Sequence, residues 1–252
     1  MTRVIDLNAD LGEGFGPWSM GDDAAMLGIV TSANIACGGH AGDAETMFAT
    51  LRAAQARGVV VGAHPGFADP AGFGRRVIPM TAAEIGRMVA AQVGALCGVA
   101  ALAGVRVAYV KPHGALALLA ARDREVASAI CAALSPELEL LAISGTVLEA
   151  VARIAGRVVH AEVFADRGYL TSGHLVPRGH PEALIHDPEV AVRRMVDFLD
   201  SGRMPAIDGP PVSLQAASIC VHGDSPGAVA LAQALRAGLA AAGVGLAPFV
   251  RA

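Results

Sequence analysis

The stretch VIDLNADLGEG, residues 4–14, decides how the chain is read. Val4 and Ile5 open an apolar run that carries Asp6, Asn8 and Asp10 and closes in Gly12, Glu13 and Gly14. Alternation at period two sends Asp6, Asn8 and Asp10 to one side of a strand. If that side faces the inside of a barrel, the carboxylates need a metal, a cation partner or a shared proton, because an uncompensated buried charge is costly. The competing reading makes Asp10 and Glu13 caps of the next turn or partners of arginine.

The same design recurs along the chain. SANIACGGHAGD (32–43) ends in His40 and Asp43, VVVGAHPGF (59–67) reaches His64, and AYVKPHGA (108–115) carries Lys111 and His113. HAEVFADRGY (160–169) contributes Glu162, Asp166 and Arg167, and SICVHGD (218–224) ends in His222 and Asp224. Strands are expected near 4–8, 29–36, 59–63, 105–110, 138–143, 158–164 and 217–221, with helices between them. Gly58 reads as a helix C-cap after Ala44–Arg57, and Thr81 with Glu84 as a capping box. Further helices are expected near 123–134, 146–155, 189–199 and 226–242.

Alternating βα units require parallel strands. A doubly wound sheet gathers its site at one switch point, whereas here nearly every strand ends in polar residues, which favours a distorted (β/α)7–8 barrel. The run Val244–Phe249 leaves an eighth strand open. A single domain over residues 1–252 is expected, because little chain follows the Pro/Gly-rich stretch at 204–211. Long loops at 12–22, 65–79 and 166–187 all follow strands and belong on one face.

Bulk properties narrow the partners. A net charge of −4 and 4% aromatic residues give neither a basic field nor stacking platforms for nucleic acid. Cys37, Cys97, Cys131 and Cys220 form no C-x-x-C pair, as expected of reduced thiols in the cytoplasm. No signal peptide is indicated. Met88–Val105 is nearly uncharged for about the length of a membrane span. It is rich in Ala and Gly and contains Gln92, so it reads as a packed helix running into a strand, and the mean hydropathy of +0.50 reflects alanine.

The polar residues support two chemistries that the spacing alone leaves open. His40 and His64 sit in glycine-rich turns with no apolar face to serve, and with the carboxylates they could hold a divalent metal or act as a metal-free acid and base set. Lys111 has either a pKa lowered by burial or a charge that holds an anion. Arg75, Arg76, Arg167 and Arg178 lie in the long loops and offer forks for carboxylate or phosphate. No G-x-x-x-x-G-K-[ST] loop is present.

Taken in order, DLNADLGEGFG, GDD, SANIACGGHAGD, GAHPGFADPAGFGRR, VKPHGAL, EVFADRGYL, LVPRG and HGD resemble the LamB/YcsF family over essentially the whole chain. The resemblance implies a distorted barrel similar to that of the polysaccharide deacetylase and glycoside hydrolase superfamily. It implies ATP-dependent opening of 5-oxo-L-proline (pyroglutamate) to L-glutamate, with ATP and magnesium used by a complex with two partners, the B and C subunits, related to allophanate hydrolase. Under it, Asp10 or Glu13, with His64 or His113, takes a proton from water, while Lys111 and an arginine stabilise the oxyanion and the substrate carboxylate. Asp6, Asn8, His40, Arg75, Arg76, Glu162, Arg167, Arg178, His222 and Asp224 are expected to bind substrate, and Asp10, His40 and His64 are the candidates for a metal.

Three positions depart from the family pattern: Gly39 for a common Phe, Ala44 for a Pro, and Ala117-Leu118 for Tyr-Asn. Loss of an aromatic at position 39 is expected to widen the pocket. Two other readings stand beside the lactam-opening one: a metal-dependent amide or N-acetyl hydrolase, and a non-catalytic subunit that delivers substrate.

Overall fold

Strand β1, Arg3–Leu11, is the hub of the architecture, since its nine residues pair with three other strands. The computed structural model describes residues 3–223 and 227–251. After β1 come α1 (Asp23–Met26), β2 (Ser32–Ala36), α2 (Ala44–Ala56), β3 (Val60–His64) and α3 (Ala82–Ala103). Next are β4 (Val107–Val110), α4 (Gly114–Ala120), α5 (Arg124–Ala133), β5 (Glu139–Ile143), α6 (Val147–Ile154) and β6 (Val159–Phe164). The chain continues through α7 (Pro188–Ser201), an antiparallel pair β7 (Arg203–Met204) and β8 (Val212–Ser213), then β9 (Ser218–Cys220), α8 (Ala228–Ala241) and β10 (Val244–Leu246).

Strands β1-β2-β3-β4-β5-β6-β9 pair in parallel and close through β9–β1 into a seven-stranded barrel, with the helices outside. The expected βα alternation is therefore present, and all seven predicted strands are staves. The last run is not an eighth stave. Ala247 N–H donates to Ile5 O and Thr31 N–H donates to Leu7 O, so β10 lies on the same edge of β1 as β2, below the point where β2 begins. The predicted second strand starts later than residue 29 because Ile29 and Val30 still donate to Met26 O.

Local signals act as their chemistry demands. The Asp43 carboxylate accepts from Thr46 N–H at the start of α2, and Thr81 and Glu84 form both halves of a capping box on α3. Gly104, at φ +70°, ends α3 in the left-handed conformation. Helix α3 is long and apolar enough, by length and composition, to cross a membrane. Here Ile85, Val89, Val93, Leu96, Ala100 and Ala103 form one buried stripe, and the helix packs against α2, α5 and β4. Helix α4 was not foreseen; it begins immediately after His113 and forms part of the site wall.

The barrel interior is unusual in being polar at its centre. Outward residues of β1, Leu7, Ala9 and Leu11, pack into the main core, while Asp6, Asn8 and Asp10 point inward. At the N-terminal end, the last residues fold under the barrel, and the Phe249 ring lies 4.8 Å from those of Tyr109 and His160. Buried Tyr109 donates its hydroxyl to Asn34 Oδ1 at 2.6 Å, and its ring occupies the space beside Gly62. A Cβ on Gly62 would stand 2.3 Å from that ring. Gly62→Ala is therefore expected to cost about 1–3 kcal/mol by overpacking, read as a lower urea midpoint; an unchanged midpoint would mean that Tyr109 can move aside.

Candidate active site

The three inward residues of β1 sit at different depths and do different jobs. Asp6 is deepest, accepting from Thr31 Oγ1 at 2.5 Å, from Ser32 Oγ at 2.6 Å and from Ser218 Oγ. Burial pushes its carboxyl above the usual range even so. Asn8, one step higher, donates to Ser218 Oγ and accepts from Asn34 Nδ2 at 2.7 Å and Lys111 Nζ at 3.2 Å. Neither lines the cavity, so the expectation that Asp6 and Asn8 bind substrate is corrected: both are buried scaffold beneath the site. Asp10 alone reaches the cavity.

Lys111, at the end of β4, is enclosed by acceptors. Its Nζ lies 3.1 Å from Asp10 Oδ1, 3.0 Å from Glu162 Oε2 and 3.1 Å from Cys220 Sγ, with the Phe164 ring centre 5.4 Å away. Burial alone would lower its pKa, but Asp10, Cys220 and Glu162 outweigh that and raise it well above the usual value. Lys111 is therefore a fixed cation, and the alternative of a lysine neutralised by burial does not apply. The same field separates the two carboxylates. Burial raises both, but His64 and Lys111 reverse the effect on Asp10 and hold it well below the usual range, whereas Glu162 stays raised.

Beside Asp10 stands a histidine cluster. His64 Nδ1 donates to Lys111 O at 2.7 Å, and His113 Nε2 donates to Phe73 O at 2.8 Å, since a carbonyl can only accept. The remaining nitrogens, His64 Nε2 and His113 Nδ1, face each other at 3.0 Å. Asp10 Oδ2 is 3.3 Å from His64 Nε2, and Glu13 Oε1 is 3.0 Å from His40 Nε2 and 3.7 Å from His113 Nδ1. His40 stacks on His113 with ring centres 3.6 Å apart, and burial pushes it down to about 3. Glu13, His40, His64 and His113 together present four ligand atoms within 4.8 Å of one another, so these are the residues that could hold a metal. Asp10, the other sequence candidate, stands next to this set.

The cavity above them has a volume of about 260 Å³, below the roughly 300–1,000 Å³ of drug-sized sites. Its charged lining is Asp10 and Glu162 against Lys111, Arg75, Arg167 and Arg178, with His64, His113 and His222, and its apolar wall includes Phe164, Ala117 and Leu118. Two carboxylates against four cations favour an anionic ligand. Arg167 also donates to Val176 O at 2.7 Å and Ala183 O at 3.1 Å, which pins the long loop after β6; burial and Arg178 lower its pKa to about 10. His222 Nδ1 is 2.7 Å from Asp166 Oδ2, and its Nε2 is 3.4 Å from Arg178 Nη2.

Other expectations resolve differently. Arg76 pairs with Asp69 through two hydrogen bonds, its side chain is exposed, and it does not line the cavity, which corrects its assignment to substrate. His40 is likewise behind His113 and not on the cavity surface. Asp224 lies outside the described residues. The widening expected from Gly39 is not what the packing shows: a Cβ there would meet the Gln92 amide at 2.5 Å and Gly66 O at 2.6 Å, not the cavity. Gln92 fills that space and bonds Gly66 N and O. Sequence reasoning missed Phe164, Cys220 and Asn34 as parts of the site. Period two along β9 and β2 was the available signal, since Ser218–Cys220 and Ser32–Asn34 put second polar residues on the inward side.

Residues 5–252 match the LamB/YcsF family. The chain is 50% identical over 251 residues to the A subunit of 5-oxoprolinase from Rhodopseudomonas palustris (strain BisA53), covering 98% of each. It is 53% identical over 249 residues to the corresponding 5-oxoprolinase protein of Paracidovorax citrulli (strain AAC00-1), covering 97% of this chain and 99% of that one. The crystal structure of the lactam utilization protein from Thermus thermophilus superposes with a TM-score of 0.91 at 44% identity, covering 96% of this chain and 98% of that one.

Two measurements test the electrostatics. Lys111→Met leaves Asp10 and Glu162 buried without their cation and is expected to cost about 3–5 kcal/mol; a loss under ~1 kcal/mol in urea unfolding would show that the carboxylates find other partners. For the Asp166–His222 pair, burial opposes both charges, yet each partner stabilises the other, so His222 is raised and Asp166 lowered. The raised imidazole contributes stability that is complete below its unfolded-state pKa and is lost as pH rises through its folded value. The depressed carboxylate contributes stability that is lost as pH falls through its own folded value. His222→Gln should therefore destabilise more at about pH 6 than at about pH 9; equal losses would mean that His222 acts only by packing.

Proposed function

The chain belongs to the LamB/YcsF family, and from that premise we propose that it is the lactam-opening component of a multi-subunit 5-oxoprolinase, converting 5-oxo-L-proline to L-glutamate with ATP hydrolysis. The observation that carries this reading is the small cavity in which two carboxyl groups, Asp10 held well below the usual range and Glu162 raised above it, flank the fixed Lys111 cation beneath three arginines. Support comes from relatives named as the A subunit of 5-oxoprolinase at 50% and 53% identity over nearly the whole chain.

An unstrained lactam resists water because amide resonance protects its carbonyl. Transfer of the γ-phosphoryl group of ATP to the lactam oxygen removes that protection. We assign this step to ATP and magnesium held with the B and C partners, in keeping with the lack of a P-loop in this sequence. The arginines Arg75, Arg167 and Arg178 hold the substrate carboxylate and the added phosphate. Of the two acidic candidates for general base, Asp10 lines the cavity and Glu13 does not, so Asp10 receives the proton of the attacking water. Glu162 gives its proton to the ring nitrogen as the C–N bond breaks; carboxylates whose pKa values are pushed apart suit these opposite roles. Lys111 balances the negative charge that develops on the oxygens of the tetrahedral intermediate. A second water cleaves the resulting acyl phosphate to glutamate and inorganic phosphate.

A second reading, an amide hydrolase that works through a metal, is favoured by the histidine cluster, and it requires chelator-sensitive activity with no need for ATP. The decisive assay measures glutamate from 5-oxoproline with this chain alone and with its partner subunits, each with and without ATP. Activity confined to the complete ATP-containing mixture is the expected result, and ATP-independent activity of the isolated chain would overturn it. In the complete mixture, Asp10→Asn is expected to lower turnover by about 10²–10⁴-fold without loss of assembly; near-normal turnover removes Asp10 from the base role.

A further inference from the structure

We propose that Glu13, His40, His64 and His113 form a binding site for one divalent transition-metal cation of the zinc type, set in the wall of the cavity beside Asp10. The inference is independent of which substrate the cavity takes.

Four ligand atoms from four different segments converge here: the loop after β1, the loop after β2, the end of β3 and the residue just before α4. Atoms at about 2.0–2.2 Å from a tetrahedral centre stand about 3.3–3.6 Å apart. The separations of 3.0 Å for Glu13–His40, 3.0 Å for His64–His113 and 3.7 Å for Glu13–His113 bracket that value. Three imidazoles and one carboxylate are a donor set for zinc and its neighbours, not for magnesium or calcium, which prefer oxygen.

The hydrogen bonds behind the rings carry the argument further. The carbonyls of Lys111 and Phe73 accept from the outer nitrogens of His64 and His113, which in the neutral rings leaves lone pairs on the inner nitrogens, 3.0 Å apart. Two such lone pairs repel unless a proton or a cation lies between them. Backbone carbonyls that fix ring tautomers from behind are the usual outer support of metal-binding histidines. No acceptor among the described residues holds His40 Nδ1, so the ring proton can sit there and leave Nε2 as a ligand.

The rings are also locked in place. A Cβ on Gly74 would lie 2.6 Å from His40 Cβ and 2.9 Å from His113 Cδ2, and one on Gly66 would lie 2.7 Å from His40 Nδ1. Only glycine backbone can pass this close to the stacked pair. All four side chains are buried, so the set is organised before any cation arrives.

The test uses the full chain, tag-free and stripped with chelator, titrated with Zn²⁺ by calorimetry and with Co²⁺ by visible absorption. One equivalent per chain is expected, with a rise in melting temperature on adding Zn²⁺. Glu13→Gln and His113→Gln should each weaken Zn²⁺ binding at least ~10-fold, whereas His160→Gln, at the closed end of the barrel, should bind as wild type. Glu13→Gln is nearly isosteric and carries the test if His113→Gln does not fold. Substoichiometric binding by the wild type, or wild-type affinity in Glu13→Gln, would overturn the proposal. Neither outcome bears on whether 5-oxoproline is the substrate, which the glutamate assay decides separately.

Discussion

One buried ammonium, that of Lys111, organises the inside of this barrel. Its contacts reach β1 through Asn8 and Asp10, β6 through Glu162 and β9 through Cys220, so a single side chain just past β4 ties together staves from around the ring. Removing an ion from water is expensive, and the contacts offset this only when the geometry is complete. The geometry here is complete: Asn34 donates to both Asn8 and Asp10, and Ser218 links Asn8 to Asp6. A polar centre of this kind is less forgiving than an apolar one, because each group depends on the partner beside it.

That constraint explains the division between the two ends of the barrel. At the N-terminal end, Phe249 and Val250 cover the interior and pack with Tyr109, Val60 and Leu141. The opposite end is left to loops whose ordering is local: Arg167 pins the segment after β6 through carbonyls, and Asp69 with Arg76 braces the segment after β3. The site lies between a rigid polar floor and these braced loops. Its electrostatics follow from position, since Asp10 touches both Lys111 and His64 while Glu162 is buried against Lys111 with Asp10 nearby, which drives the two carboxylates apart in acidity.

Much of this was legible from local chemistry. The seven staves were visible as apolar runs, and the caps at Asp43, Gly58, Thr81 and Glu84 marked helix ends because those side chains or conformations satisfy specific backbone groups. Asp10, Glu13, His64, Lys111 and His113, read from separate motifs, do meet in space. The misreadings share a cause. Arg76 looked like a substrate fork from its loop, but Asp69, seven residues earlier, claims it. Gly39 looked like a missing pocket wall, but the backbone there faces Gln92 of α3, a contact no local pattern encodes.

The sequence by itself determined direction: period-two alternation sends Asp6, Asn8 and Asp10 inward, and the βα rhythm puts every long loop on one face. Depth was decided only by the tertiary structure. Each two-residue step climbs about 6.6 Å along a strand, and the stagger between β1, β2 and β9 determines which inward residue meets the cavity. Asp6 and Asn8 therefore became scaffold while Asp10 became part of the site. The same stagger placed β10 below β2 instead of in the ring and brought four ligand atoms from four loops and strand ends within 4.8 Å. Alternation is a property of one strand, whereas depth and convergence depend on how strands shift against one another when the barrel closes.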